Sequence, residues 1–322
     1  MRILNLSGKV DTSAWPKVYT VANYPDLVVV DDTVPLDNIR EVSANFPTVM
    51  LTKAKGKSPI PTVDYTFDSP EDVRRFLQEY ASKPLRERLI DLYDVALGTR
   101  YPQRVKHVAY YGYSRYLYNV VARLLNSPLK PWIGLYGPSG AGKMNLLRAV
   151  LGHRLKDAFH ITSPSMGFRL NREEVEDVVV DVSMFHSEEE IRAVMSEIHR
   201  RRYQAIFIVE REGVPEILKT VPFFYVPPLS ERPPKERLLL LEHMLRKIEE
   251  EMGGDGRIEV EEAFMQVFYS YPWPNNLSEL DNVLRFVLGL NGGSLSVDAL
   301  PYHIKVSASR DGTPPAWERY QR

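Results

Sequence analysis

Apolar positions along the chain follow two periods. Runs of strand length come first: "RILNL", "DLVVVDD" and "TVMLT", the last from Thr48 to Thr52. They are followed by "SPEDVRRFLQEY", apolar at helical spacing, with Ser69 as N-cap and Pro70 at the first helical position. This pattern predicts a small α/β unit over 1–82 and a connecting helix, "PLRERLIDLYDVAL", within 83–105. From 106 to 230 helix and strand alternate: "SRYLYNVVARLL", "WIGLY", "GKMNLLRAVLG" closed by Gly152, "VEDVVVDVS", "SEEEIRAVMSEIHRRR" behind a capping box of Ser187 and Glu190, and "QAIFIV". Such alternation predicts a parallel sheet covered by helices. Over 231–304 the period is helical throughout, with three helices divided by Pro and Gly. Residues 305–322, "KVSASRDGTPPAWERYQR", read as a mobile tail.

Composition narrows the function classes. With 322 residues, 44% hydrophobic and 26% charged, the chain suits two globular domains. Lys plus Arg (41) balances Asp plus Glu (42), so the net charge of −1 gives no global attraction to nucleic acid. The absence of cysteine excludes disulfides, thiolate zinc sites and cysteine nucleophiles. The seven histidines show no ligand spacing. No apolar run approaches the roughly 20 residues of a membrane span, and "MRILNLSGKVDTSAW" is no signal peptide. The expectation is a cytoplasmic protein without a membrane partner.

The candidate chemistry lies in "LYGPSGAGKMNLL". Gly137, Pro138, Ser139, Gly140, Ala141, Gly142 and Lys143 satisfy G-x-x-x-x-G-K between a buried strand and a helix, and Met144 and Asn145 open that helix. Glycines there let backbone N–H groups converge on phosphate oxygens, and the lysine bridges the terminal phosphates. The bland alternative is a Gly-rich turn with a surface lysine. Met144 replaces the hydroxyl that would ligate magnesium, and a thioether is a poor ligand for so hard a cation. In "VVVDV", Asp181 ends an apolar strand, where an acid holds Mg2+ through water; the alternative is a strand-end residue or helix cap. The next residue, Val182, cannot act as a base.

Residues 108 to 304 resemble the AAA+ domain of NtrC-like activators of sigma-54 polymerase. "GPSGAGK" is similar to that family's "GESGTGK", "VPPLSERPPKERLLLLEHML" resembles "LPPLRER" and its following helix, and "YPWPNNLSELDNVLRFVL" resembles "YxWPGNVRELxNV". The resemblance implies a P-loop α/β subdomain over 106–230, a helical lid over 231–304, and ATP or ADP as ligand with Mg2+. The departures fall at working positions. Ser278 replaces the lid arginine, and Ser230 replaces an arginine beside Arg232. Only Lys219 is left as a cation where the trans-acting fingers would be. Glu210 or Arg211 takes the place of a neutral sensor. The stretch between "AFHITSPSM" and "VVVDV" is too short for the GAFTGA loop, and no helix-turn-helix follows the lid.

The N-terminal unit resembles a receiver domain, with Asp31 in "DLVVVDD" at the phospho-acceptor position and Thr52 at the switch position. Asn5 and Leu6 replace the paired acids, the closing lysine is missing, and the space between the first two strands is short. A receiver-like remnant and a generic α/β interaction domain both fit. Tyr110 to Tyr118 could stack on an adenine or serve as ordinary helix aromatics. His199 to Arg202 complement a helix C-terminus.

Together these features predict a degenerate AAA+ regulatory protein in signal transduction or transcription control. It would bind ATP or ADP with weak or no hydrolysis and act through protein partners, itself included as a homo-oligomer, without a DNA-binding domain. A scaffold that binds no nucleotide and an ATPase completed by a partner are the alternatives.

Overall fold

The computed structural model describes residues 1–20, 24–53, 60, 62–98, 112–167, 175–210, 213–253 and 258–310. Its first sheet contains β1 (Ile3–Asn5), β2 (Lys17–Val18), β3 (Leu27–Asp31), β4 (Thr48–Leu51) and β5 (Tyr65–Phe67). They lie in the order β2-β1-β3-β4-β5, and every pair is parallel. This is the strand order of flavodoxin-like doubly wound sheets. Three of these strands were legible as apolar runs. β2 and β5 are too short to show a period. β3 is buried on both faces, with Leu27 to Val30 fully inaccessible. A strand covered on both sides reads as a continuous apolar run. Helices α1 (Leu36–Asn45) and α2 (Pro70–Ser82) accompany the sheet, and α3 (Leu85–Gly98) follows them. Ser69 caps α2 by accepting the Asp72 N–H, as its position predicts.

The second sheet follows α4 (Gly112–Leu125). In chain order come β6 (Ile133–Tyr136), α5 (Lys143–Leu151), α6 (Arg154–Asp157), β7 (Phe159–Ile161), α7 (Pro164–Gly167), β8 (Asp177–Asp181), α8 (Glu188–Arg201), β9 (Gln204–Val209) and β10 (Phe223–Tyr225). The spatial order is β10-β6-β9-β8-β7, parallel throughout. β9 therefore lies between the strand that feeds the Gly-rich loop and the strand that ends at Asp181. The predicted capping box closes α8: Ser187 accepts the Glu190 N–H, and the Glu190 carboxylate accepts the His186 N–H at 2.8 Å.

The last segment holds α9 (Pro234–Glu251), β11 (Glu259–Val260), α10 (Glu262–Ser270), α11 (Asn276–Leu290), β12 (Ser294–Leu295) and α12 (Tyr302–Arg310). The three-helix expectation is too simple here. A two-stranded parallel pair, β11 and β12, joins the helices. α12 also occupies the start of the segment expected as a tail. It is anchored by Ile304, which is fully buried. Residues 311–322 lie outside the described residues.

The chain divides into two compact units, Met1–Gly112 with Glu231–Pro272 and Asp281–Arg322, and Tyr113–Ser230 with Trp273–Leu280. The first unit is built around buried charge. Lys235 of α9 is fully buried, pairs with Asp64, and donates to the carbonyls of Ser43 (3.1 Å) and Thr62 (2.9 Å). Arg86 of α3 pairs with Glu242 and, at 2.8 Å, with Glu249. Arg237 donates to the Phe268 carbonyl and lies over the Phe268 and Tyr269 rings at 5.1 and 5.2 Å. Charges taken out of water need such partners, because an unpaired buried ion is strongly destabilising.

Candidate functional site

The second unit places the Gly-rich loop between β6 and α5. Gly137 has φ 148°, and a Cβ there would stand 2.3 Å from the Val226 carbonyl. Gly140 has φ 71°, and a Cβ would stand 2.2 Å from the Asn275 carbonyl. Both positions therefore exclude any side chain twice over, by backbone conformation and by space. The loop tip is clamped by the turn that opens α11. Asn276, 1% exposed and at φ 56°, donates to the Ser139 carbonyl (2.8 Å) and accepts the Leu229 N–H (2.8 Å). The Leu277 N–H adds a bond to the Gly140 carbonyl at 3.1 Å. Ser278, at the position of the lid arginine, stands close to Gly140, its hydroxyl oxygen 3.2 Å from where a Cβ on that glycine would be.

Lys143, the first residue of α5, is only 4% exposed. Its ammonium donates to the carbonyls of Gly137 and Pro138, both at 2.8 Å, and lies 3.5 Å from Glu210 Oε1. Burial pushes its pKa below the usual lysine value, while the charges of Glu210 and Asp181 oppose that shift. Gly142 is the N-cap of α5. The first N–H groups of the helix have no intrahelical partners, so this end can bind an anion. Met144 is half-buried and Asn145 exposed; Asn145 accepts a bond from Arg148 at 2.6 Å. Ala141 is buried, and its N–H reaches the Pro138 carbonyl at 3.3 Å.

Asp181 caps the turn after β8, its Oδ1 accepting the Ser183 N–H (3.1 Å) and the Ser183 hydroxyl. Among the described residues the hydrogen bonds given for Asp181 are those to Oδ1. Val182 is buried. Both sequence readings of Asp181 are thus compatible with one geometry: it is a cap, and its charge also acts on Lys143.

Other predicted positions are not gathered here. Lys219 pairs with Glu216. Tyr116 is exposed and Tyr118 half-buried. Arg211, Tyr110, Tyr111 and the stretch 168–174 lie outside the described residues. Asn276 was not singled out by sequence, although an asparagine after "PWPN" is the residue type, glycine apart, that best tolerates positive φ. Among the described residues no group of three or more His, Asp or Glu is placed to hold a metal ion.

Asp31, in the first unit, is fully buried. Its Oδ2 accepts the Ser7 hydroxyl at 2.7 Å, and its Oδ1 accepts the Thr33 N–H at 2.8 Å and the Thr33 hydroxyl. Burial alone would raise its pKa; bonds from Thr33 and Ser7, with the Lys9 charge, outweigh it and hold the carboxyl below its ordinary value. Asn5, at the position of a receiver's paired acids, braces the turn after β1 by donating to the Val10 carbonyl and accepting the Ser7 N–H. The strand wanting between β1 and β3 is present as β2, without a helix among the described residues of that connection.

Residues 235–316 match the AAA+ ATPase lid domain family. Crystal structures of NtrX from Brucella abortus share the fold at a TM-score of 0.50. The ADP complex is 18% identical and covers 94% of this chain and 86% of that one. The ATP complex is 16% identical, covering 95% and 88%. A third NtrX structure is 18% identical, covering 97% and 87%. No curated protein sequence matches the chain. No helix among the described residues is long and apolar enough to cross a membrane. The chain is thus an α/β protein with parallel sheets and an AAA+ lid, in an NtrX-like fold.

Proposed function

We propose that the protein is a nucleotide-holding AAA+ regulator. It binds ATP or ADP at Gly137 to Lys143, hydrolyses it weakly or not at all, and acts through protein partners. The carrying observation is Lys143: a buried, partly desolvated ammonium at a helix N-terminus, inside a loop where Gly137 and Gly140 are sterically obligatory. Such a cradle fits phosphate oxygens. Asp181 fits a water-held Mg2+ through its second oxygen, whereas Met144 supplies no metal ligand and Val182 no base. Binding is therefore supported more strongly than turnover. The NtrX structures with ADP and ATP give the same ligand class on a similar fold.

In this reading the first unit is a receiver-like module in which Asp31 is structural, since both its oxygens are already engaged. The test is calorimetric titration of the whole chain with ATP and ADP, with and without Mg2+. Sub-millimolar binding that disappears in Lys143→Ala is expected; no binding, or binding unchanged by that substitution, sinks the reading. A scaffold role is the second reading. It is favoured by the Gly137 and Pro138 carbonyls, which already satisfy the lysine as a structural residue would be satisfied. Under it, Lys143→Ala would leave partner capture intact and no nucleotide would bind.

A further inference from the structure

We propose that Glu210 determines which nucleotide the loop accepts, competing with the third phosphate for Lys143 and giving a nucleoside diphosphate the advantage over a triphosphate. This rests on the loop being a nucleotide site. Glu210 directly follows β9, the strand between the Gly-rich loop and Asp181. Its carboxylate lies 3.5 Å from Lys143 Nζ. An ammonium has three donors, and here two carbonyls and this carboxylate engage it. The positive charge that should meet the phosphates is therefore already compensated.

A lysine in such a loop reaches the β- and γ-phosphates. A phosphate oxygen held by Nζ at about 2.8 Å lies within about 6 Å of the Glu210 carboxylate. That is inside the screening length of about 8 Å at physiological ionic strength, so repulsion survives salt. Asp181 contributes a second negative charge that also acts on Lys143. Two carboxylate charges thus act on Lys143, and the cost of adding phosphate grows with phosphate charge. ATP brings one more charged group than ADP, and brings it to the lysine. A neutral side chain at 210 would leave Asp181 as the carboxylate charge acting on the ammonium. Glu210 is partly exposed, with 38% of its side chain accessible, and its isosteric replacement does not disturb the core.

The experiment measures dissociation constants for ATP and ADP on the whole chain, wild type, Glu210→Gln and Glu210→Ala, in EDTA and in Mg2+. In EDTA the wild type is expected to prefer ADP at least tenfold. Both variants tighten ATP at least tenfold while ADP moves less than threefold, so the preference collapses. An unchanged ATP-to-ADP ratio in the variants overturns the inference while leaving the nucleotide site standing. So does weaker ATP binding in the variants with Mg2+, which would make Glu210 a metal ligand. If no form of the protein binds either nucleotide, the proposed function and this inference fall together.

Discussion

The two units contain strand ends that match almost residue for residue. Val28-Val29-Val30-Asp31-Asp32-Thr33 closes β3, and Val178-Val179-Val180-Asp181-Val182-Ser183 closes β8. In both, the aspartate Oδ1 takes the N–H and the hydroxyl of the residue two positions on. The surroundings then diverge. Asp31 is inaccessible, and Ser7 takes its second oxygen. Asp181 is half-buried and acts on a lysine that is itself held by backbone carbonyls. One local motif therefore serves two ends. At this strand end the first unit engages both aspartate oxygens internally, whereas in the second the aspartate's charge acts on the lysine of the Gly-rich loop. A strand-end aspartate indicates a turn, and only its neighbours indicate chemistry.

The largest effect that would break this contrast concerns the first unit. Lys235→Met should destabilise the protein by about 3–5 kcal/mol, because it removes the cation that pairs with the buried Asp64 carboxylate. Chemical denaturation reads it, and a loss below 1 kcal/mol would show that buried charge does not hold this unit. Next comes the clamp in the second. Asn276→Gly keeps the positive φ but leaves the Leu229 N–H and the Ser139 carbonyl without their partner, costing about 1–3 kcal/mol. It should also weaken ADP binding. Unchanged stability and affinity would mean the clamp is incidental.

Asp31→Asn should cost about 1–2 kcal/mol at neutral pH through its charged hydrogen bonds. The folded pKa lies below the ordinary carboxyl value of 3.8. This contribution is therefore fully present above that value and is lost as pH falls through the folded pKa. The stability difference between wild type and variant should shrink in that acid window. A pH-independent difference would contradict the account. The smallest effect is expected at the matching residue: Asp181→Asn should change stability by under about 1 kcal/mol, yet reduce the benefit of Mg2+ to nucleotide binding several-fold.

Much of this was legible in the sequence, for identifiable reasons. The long buried strands, the caps at Ser69 and Ser187, and the G-x-x-x-x-G-K spacing are local signals, and they fold where local rules place them. Lys235 looked like one more charge in "PPKERLLLL". Its partner Asp64 lies far away in sequence, and nothing local marks so distant a pairing. Asn276 was hidden because its two bonds reach Ser139 and Leu229. Glu210 was visible as an odd residue at a sensor position, but its approach to Lys143 required the strand order β6-β9-β8.

On the proposed reading, the second unit binds phosphate at its Gly-rich loop while Asp31 of the first is structural. The most direct test is the unfolding temperature of wild type and Lys143→Ala across a range of ADP concentrations. A ligand bound only by the folded state adds about 1.4 kcal/mol of stability per tenfold concentration above its Kd. The expected result is a wild-type Tm that climbs with ADP and a Lys143→Ala Tm that stays flat. A flat wild-type response, or equal climbs in both proteins, would contradict it.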